Sequence, residues 1–165
     1  MRRRDVNQMS VTFRNMIEQE FIETRDKILD SYSEGLVQFG NETKEDALEQ
    51  YATLLPDGFH TPGTAFYVAL NPENEEIGVV FLIDRQPGVA LLMWIEVKEQ
   101  FRRRGYARNI LTLIADEMIA KNHSMIVLNV FEINKGAKAL YESCGYTIHS
   151  IDSGAITMIK ALNRL

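Results

Sequence analysis

Apolar and polar positions change their period along this chain, and each period predicts a type of element. Residues 11–16 alternate between the two kinds, which indicates a short first strand. Two segments of helical spacing follow, the first expected to end at Gly40 and the second to begin at Thr43 and end at Pro56. Their expected buried faces are Ile17, Phe21, Ile28, Leu29, Tyr32 and Leu36 in the first helix, and Ala47, Leu48, Tyr51, Leu54 and Leu55 in the second.

Three runs rich in β-branched and aromatic residues occupy the middle of the chain, at 65–70, 77–83 and 89–97. They are separated by the turn-forming stretches 71–76 and 84–88, which contain Asn, Pro, Asp and Gly. Because short turns of this kind connect neighbouring strands that run in opposite directions, we expect an antiparallel meander here.

Helical spacing returns after residue 105, and the order strand, helix, strand between 89 and 131 predicts a right-handed parallel crossover. We expect one mixed α/β domain over residues 1–165, with about seven mostly antiparallel strands, one parallel pair and about four helices. Residues 1–9 are expected to be a flexible basic tail. The last elements expected are a helix with apolar positions from Ala107 to Met118, a strand at 125–131, a helix at 134–144 that Gly145 ends, and strands at 146–151 and 155–160.

The composition excludes several classes of protein. The 165 residues are 45% hydrophobic and 25% charged, as in a globular domain and unlike a disordered or collagen-like chain. No apolar run approaches the roughly 18 residues of a membrane span, and the start lacks a signal-peptide core. The one cysteine, Cys144, excludes a disulfide framework, and His60, His123 and His149 lack metal-site spacing. We therefore expect a cytoplasmic protein with no metal and no membrane partner.

The stretch 97–108 carries the most specific signal, because it joins a buried strand to an amphipathic helix through a basic loop. Four arginines lie there within seven residues of a chain whose net charge is −5. Gly105 allows a ligand to approach the backbone closely, and the first turn of a helix leaves amide N–H groups unpaired. Together these features predict a pyrophosphate site, although a solvated loop with a turn glycine would show the same charge pattern. The acidic net charge disfavours a nucleic-acid binder.

Two motifs resemble those of the GNAT superfamily of acetyltransferases. The first is the family's acetyl-CoA motif, R/Q-x-x-G-x-G/A after a strand that ends in Val, here 102–107 after Val97. The order of elements also agrees, and the segment 54–63 resembles a subgroup of uncharacterised bacterial members. The second motif, N-x-x-A-x-x-L-Y-x-x-x-G-F/Y, appears as Asn134, Ala137, Leu140, Tyr141, Gly145 and Tyr146.

The resemblance implies a set of contacts with acetyl-CoA as cosubstrate. It implies that the pantetheine arm lies between two splayed parallel strands, beside Val97, Lys98 and Glu99. It also implies that the Asn134 side chain binds the CoA arm, although Asn suits a plain helix N-cap as well. The implied pyrophosphate contacts are Arg102, Arg103, Arg104, Gly105, Tyr106, Ala107 and Arg108.

The resemblance also implies the reaction, in which an amine attacks acetyl-CoA directly. Tyr141 would be the general acid that protonates the leaving thiolate, although its place on an apolar stripe is also consistent with core packing. Glu96 is the candidate base that removes a proton from the amine. A solvated strand glutamate and a base that acts through water from elsewhere remain open, because alternation does not settle which face Glu96 occupies.

The acceptor is expected to be a small-molecule amine or a peptide, bound by a monomer or homodimer without nucleic acid. The acidic residues of the first two helices would favour a cationic amine, although ordinary solvated helix faces have the same composition. A CoA-binding sensor of the same fold, without efficient turnover, is the alternative function. The acidic residues concerned are Glu18, Glu20, Glu23, Glu34, Glu45, Asp46 and Glu49.

Overall fold

The computed structural model describes residues 10–39 and 44–163, with the side chains of 32–39, 44 and 47 left out. The expected tail at 1–9, the stop at Gly40 and the cap at Thr43 lie outside the described residues, as do the side chains of Tyr32, Leu36 and Ala47. The strands are β1 Thr12–Asn15, β2 Thr64–Leu70, β3 Glu76–Gln86, β4 Val89–Val97, β5 Met125–Phe131, β6 Thr147–Asp152 and β7 Ala155–Ala161. The helices are α1 Glu18–Phe39, α2 Lys44–Leu54, α3 Tyr106–Ala120 and α4 Lys135–Ser143.

The seven strands of the described residues form one sheet in the order β1-β2-β3-β4-β5-β7-β6. Strands β1 to β4 form the expected antiparallel meander, and β7 pairs antiparallel with both β5 and β6. Only β4 and β5 are parallel, with α3 connecting them. This arrangement confirms the mixed α/β fold with one parallel pair.

The sheet separates two clusters of buried side chains. One cluster joins α3 to strand residues such as Leu92, and it includes Ile110 and Ile114. The other joins α1 to strand residues such as Leu91, and Phe21 lies at its centre. The sheet therefore has an α3 face and an α1/α2 face, and each residue of β4 belongs to one of them. No helix of the described residues is long and apolar enough to span a membrane.

Two expected core positions and one expected turn are wrong. Ile17 lies just before the first residue of α1 and is 62% exposed. Leu48 is 41% exposed because α2 meets the core only near its C-terminal end, around Leu55. β3 continues to Gln86, so most of the stretch 84–88 is strand. The turn is confined to two residues, and its Gly88 has a φ of +80°.

Candidate active site

The parallel strands β4 and β5 are paired along only half of their length. Their pairing ends at Leu92 and Leu128, although β4 runs on to Val97 and β5 to Phe131. Beyond that point β4 is paired only with β3, and β5 only with β7. A gap therefore opens between the two strands in the middle of the sheet.

A β-bulge lies where this gap begins. Leu82 of β3 pairs with Leu92, and the next residue, Phe81, pairs with Trp94, so Met93 has no partner in the ladder. A bulge bends its strand and increases the local twist. The bulge therefore coincides with the point at which β4 separates from β5, beyond Leu92.

The bulge also decides the orientation of Glu96. Uninterrupted alternation would place Glu96 with Leu92 on the α3 face. Because Met93 shifts the alternation by one residue, Glu96 lies instead on the α1/α2 face with Trp94, whose indole N–H donates to its carboxylate at 3.3 Å. Glu96 lines a cleft of about 190 Å³ there, together with Glu23 of α1.

Some of the acidic side chains near this cleft are already paired with cations. Arg14 donates to both oxygens of Glu20, at 2.7 and 3.0 Å, and to Glu76 at 2.6 Å. The Arg14 hydrogen bond holds the pKa of Glu20 below its usual value. Glu23 and Glu96 are therefore the cleft carboxylates that no described cation pairs with.

The other acidic residues of the first two helices do not line this cleft. Glu18 lies 3.3 Å from the exposed ring of His60, and Asp46 and Glu49 border a separate shallow depression on α2. Glu45 is exposed, and the side chain of Glu34 lies outside the described residues. The predicted acidic rim is therefore only partly assembled.

The loop between β4 and α3 presents a row of backbone amides. The first bond along the α3 ladder is donated by Asn109 N–H to the Gly105 carbonyl at 3.2 Å, so the preceding amides have no acceptor within the helix. Gly105 has a φ of +82° and Arg103 a φ of +61°, a left-handed conformation that turns the chain sharply into the helix. The amides concerned belong to Gly105, Tyr106, Ala107 and Arg108.

The four arginines of the loop have different surroundings. Arg102 donates from Nε to the Val97 carbonyl at 2.9 Å, which ties the loop to the end of β4. Arg108 donates to Ser143 Oγ at 2.9 Å and contacts the half-buried Cys144 sulfur at 3.8 Å, which joins α3 to α4. Arg104 lies over the Phe101 ring at 5.7 Å, and Arg103 is exposed. Arg103 and Arg104 are thus the two arginines of the loop whose guanidinium groups donate to no backbone or side-chain acceptor among the described residues.

The end of β4 presents alternate backbone groups to the gap. The Lys98 amide donates to the Ile77 carbonyl of the β3 side at 2.8 Å. Because successive backbone groups of a strand point to opposite neighbours, the Val97 amide faces the gap. Glu99 begins a short 3₁₀ turn, Glu99–Phe101, that leads into the loop. Of the three positions, Val97 is the one whose amide points at the predicted pantetheine path.

Helix α4 begins just beyond the end of β5, at the same end of the sheet as the loop. Asn134 is its N-cap, and the side-chain oxygen accepts from Ala137 N–H at 3.2 Å. Tyr141 is half-buried against the α3-face cluster, with its ring 5.8 Å from that of Tyr146. Burial raises the pKa of Tyr141 above its usual value, so its hydroxyl is protonated at neutral pH.

Two features of the site are not assigned to it by the sequence, although helical spacing does place Tyr51 on the buried face of α2. One is the Met93 bulge, which depends on how β3 pairs with β4. The other is the contribution of Tyr51 from α2, whose hydroxyl is buried without a hydrogen-bond partner among the described residues. Burial raises the pKa of Tyr51 to about 12. Tyr51 lines a pocket that reaches Met93 and Trp94.

The three histidines have different surroundings. His123 is buried, with Nε2 2.7 Å from Asp84, while His60 and His149 are exposed. No group of three potential metal ligands occurs within residues 10–39 and 44–163.

Solved structures of acetyltransferases share this fold. The Bacillus subtilis protein YycN, named for an expected acetyltransferase activity, aligns with a TM-score of 0.78 at 23% identity, over 86% of this chain and 95% of that one. A spermidine N-acetyltransferase from Vibrio cholerae in complex with CoA and spermine aligns with a TM-score of 0.66 at 20% identity, over 93% and 96%. A dodecameric structure of the same Vibrio cholerae enzyme aligns with a TM-score of 0.64 at 20% identity, over 93% of this chain and 94% of that one.

No curated protein matches the sequence. Residues 25–146, about three quarters of the chain, match the model of the acetyltransferase (GNAT) family. That stretch contains the bulged strand, the amide-presenting loop and Tyr141, and we conclude that the chain belongs to the GNAT acetyltransferase family.

Proposed function

We propose that this protein is an N-acetyltransferase that moves an acetyl group from acetyl-CoA to an amine. The observation that carries the proposal is the gap between β4 and β5, which opens at the same end of the sheet as the unpaired amides of the α3 start. Strand edges without partners can bind an extended chain as an added strand. The pantetheine arm, with its amide groups, is such a chain.

The loop suits the pyrophosphate of CoA. The amides from Gly105 to Arg108 point out of a helix N-terminus, where the helix dipole adds a partial positive charge. Arg103 and Arg104 are exposed beside them and supply full charges. Asn134 caps α4, and its amide nitrogen would bind the CoA arm.

The reaction forms a C–N bond and breaks the C–S bond of the thioester. A neutral amine attacks the carbonyl carbon, the thiolate leaves, and Tyr141 transfers its proton to the sulfur. A raised pKa supports this role, because the hydroxyl must be protonated before it can donate. The proton released by the amine goes to Glu96, directly or through water. Glu96 lies on the α1/α2 face of the sheet, where two clefts could admit the amine.

Binding and turnover are tested separately. Calorimetry with acetyl-CoA, CoA, ATP and NAD should show tight binding of the first two only. A panel of amines assayed for CoA release, with the product mass measured, should then show acetylation of at least one amine. Tight binding of CoA without acetylation of any amine would support a CoA sensor instead, and absence of CoA binding would overturn the site.

A further inference from the structure

Two clefts on the α1/α2 face of the sheet form one continuous groove. The smaller, about 70 Å³, reaches the bulge at Met93 and Trp94. The larger, about 690 Å³, extends along β4 in the other direction, to Val89 and to Arg85 at the end of β3. Four residues line both clefts: Gln50, Leu54, Leu91 and Asn129.

Arg85 is the one formally charged side chain among the described residues that line this groove. Its neighbour Asp84 points to the opposite face of the sheet, where it bonds His123 at 2.7 Å. Arg85 is exposed and forms an ion pair with no carboxylate within residues 10–39 and 44–163. The one formal charge that the described residues bring to the groove is therefore positive and lies at its far end, whereas Glu96 lines the neighbouring cleft beyond the bulge.

The strand geometry sets the distance between the two ends. Asp84 pairs with Ala90 and Gln86 with Val89, so Arg85 between them has no partner in the ladder and lies beside the start of β4. Val89 and Met93 are four residues apart, which corresponds to about 13 Å at a rise of ~3.3 Å per residue. If the amine of an acceptor lies at the gap, a second group of the same molecule about 13 Å from the amine would therefore reach Arg85.

We propose that the acceptor is an elongated amine with a carboxylate at its far end, such as a short peptide, and that Arg85 binds this carboxylate. This inference rests on the proposed acetyl transfer at the β4–β5 gap. A single guanidinium suits a singly charged carboxylate, which it binds through two parallel hydrogen bonds. The amide side chain of Asn129 lines both clefts on the path between, and Gln86 lies beside Arg85 at the far end; an amide can both donate to and accept from peptide bonds. An extended peptide of three or four residues spans the distance.

The test compares alanine peptides of two to five residues as acceptors, each with a free or an amidated C-terminus. For trialanine and tetraalanine we expect the free acid to have a kcat/KM about tenfold higher than the amide, the low end for hydrogen bonds to a charged group, because Arg85 is exposed. The preference should shrink for the shorter and longer peptides, whose carboxylates do not reach Arg85 in the same way.

Two variants assign the preference to Arg85. In Arg85→Gln, the free acid and the amide should be used equally well, because kcat/KM for the free acid should fall to the value for the amide. Lys135→Gln removes a positive charge from α4, outside the groove, and should retain the full preference.

The outcomes separate this inference from the proposed function. Two outcomes overturn the inference and leave acetyl transfer intact. In the first, the parent acetylates acid and amide peptides equally well. In the second, the parent acetylates spermine efficiently but no peptide, and Arg85→Gln does not change the rate with spermine. Failure to acetylate any amine, with acetyl-CoA bound, overturns both.

Discussion

The two halves of β4 have similar side chains but different surroundings. Residues 89–92 are paired with β3 on one side and β5 on the other, whereas residues 94–97 are paired with β3 alone and Met93 with neither strand. The first half is a closed part of the core, with Ala90, Leu91 and Leu92 buried. The second half, from Met93 to Glu96, is partly exposed although it is nearly as apolar. The candidate site therefore lies where the sheet is incomplete. The hydrophobicity of the residues along β4 does not reveal where its pairing with β5 ends.

The difference between the halves depends on one extra residue. Removing Met93 would restore regular alternation and would leave Trp94 and Glu96 on the faces that they already occupy. The ladder with β3 would also keep its pairs, because Met93 has no partner in it. We therefore expect the bulge to be needed for the gap but not for the fold.

Deletion of Met93 should have the largest effect, because it lets the second half of β4 pair with β5 and closes the gap. We expect acetyl-CoA binding and turnover to fall below detection while the far-UV circular dichroism spectrum stays unchanged. Met93→Ala is the matched control, since it loses the same side chain but keeps the bulge, and it should bind acetyl-CoA. If the deletion variant binds acetyl-CoA as Met93→Ala does, the bulge does not create the site.

Tyr141→Phe should lower kcat by about 10²–10⁴, the usual contribution of a general acid, with little change in acetyl-CoA affinity. Its raised pKa also predicts that the alkaline loss of activity attributable to Tyr141 begins only above the ordinary tyrosine value of about 10. Steady-state rates as a function of pH measure both effects.

Tyr146→Phe is the matched control for this change. The Tyr146 hydroxyl is buried and has no hydrogen-bond partner among the described residues, so its removal should not lower stability or rate. A Tyr141→Phe variant that turns over within a few-fold of the parent would identify Tyr141 as a packing residue.

Gly105→Asp places a carboxylate where the pyrophosphate is expected to approach the α3 amides. Two like charges about 4 Å apart near a surface repel by roughly 1–4 kcal/mol, so acetyl-CoA affinity should fall by roughly 100-fold in calorimetry. Gly154→Asp is the matched control, because Gly154 has a φ of +83°, close to the +82° of Gly105, and lies in the β6–β7 hairpin. Equal affinities of the two variants would remove the loop from the binding site.

The salt dependence of CoA binding should show the smallest effect. Arg103 and Arg104 are exposed, and charges at such sites are screened beyond about 10 Å at 0.1 M salt. Affinity should therefore fall several-fold between low and high ionic strength, and less in a variant with both changed to Gln. The same salt slope in parent and variant would mean that the backbone amides alone hold the phosphates.

Much of the fold and part of the candidate site could be read from local patterns. β5 was expected at 125–131 and lies there, and Gly145 ends α4 with a φ of +94°. The loop residues around Gly105 are contiguous in the chain, so a helix start, a turn glycine and arginines are visible without any tertiary contact. The same holds for Asn134, whose capping bond is made three residues away.

Local sequence patterns are enough to predict the order of the elements, the basic loop at a helix start, and the family motifs that include Tyr141. The three-dimensional structure is needed to show where β4 leaves β5, which face Glu96 occupies, and that Arg85 and the bulge lie along one groove. The physical reason is that a bulge and a gap are properties of strand pairing. They depend on which residues of β3 and β5 face β4, and the sequence of β4 alone does not specify those residues.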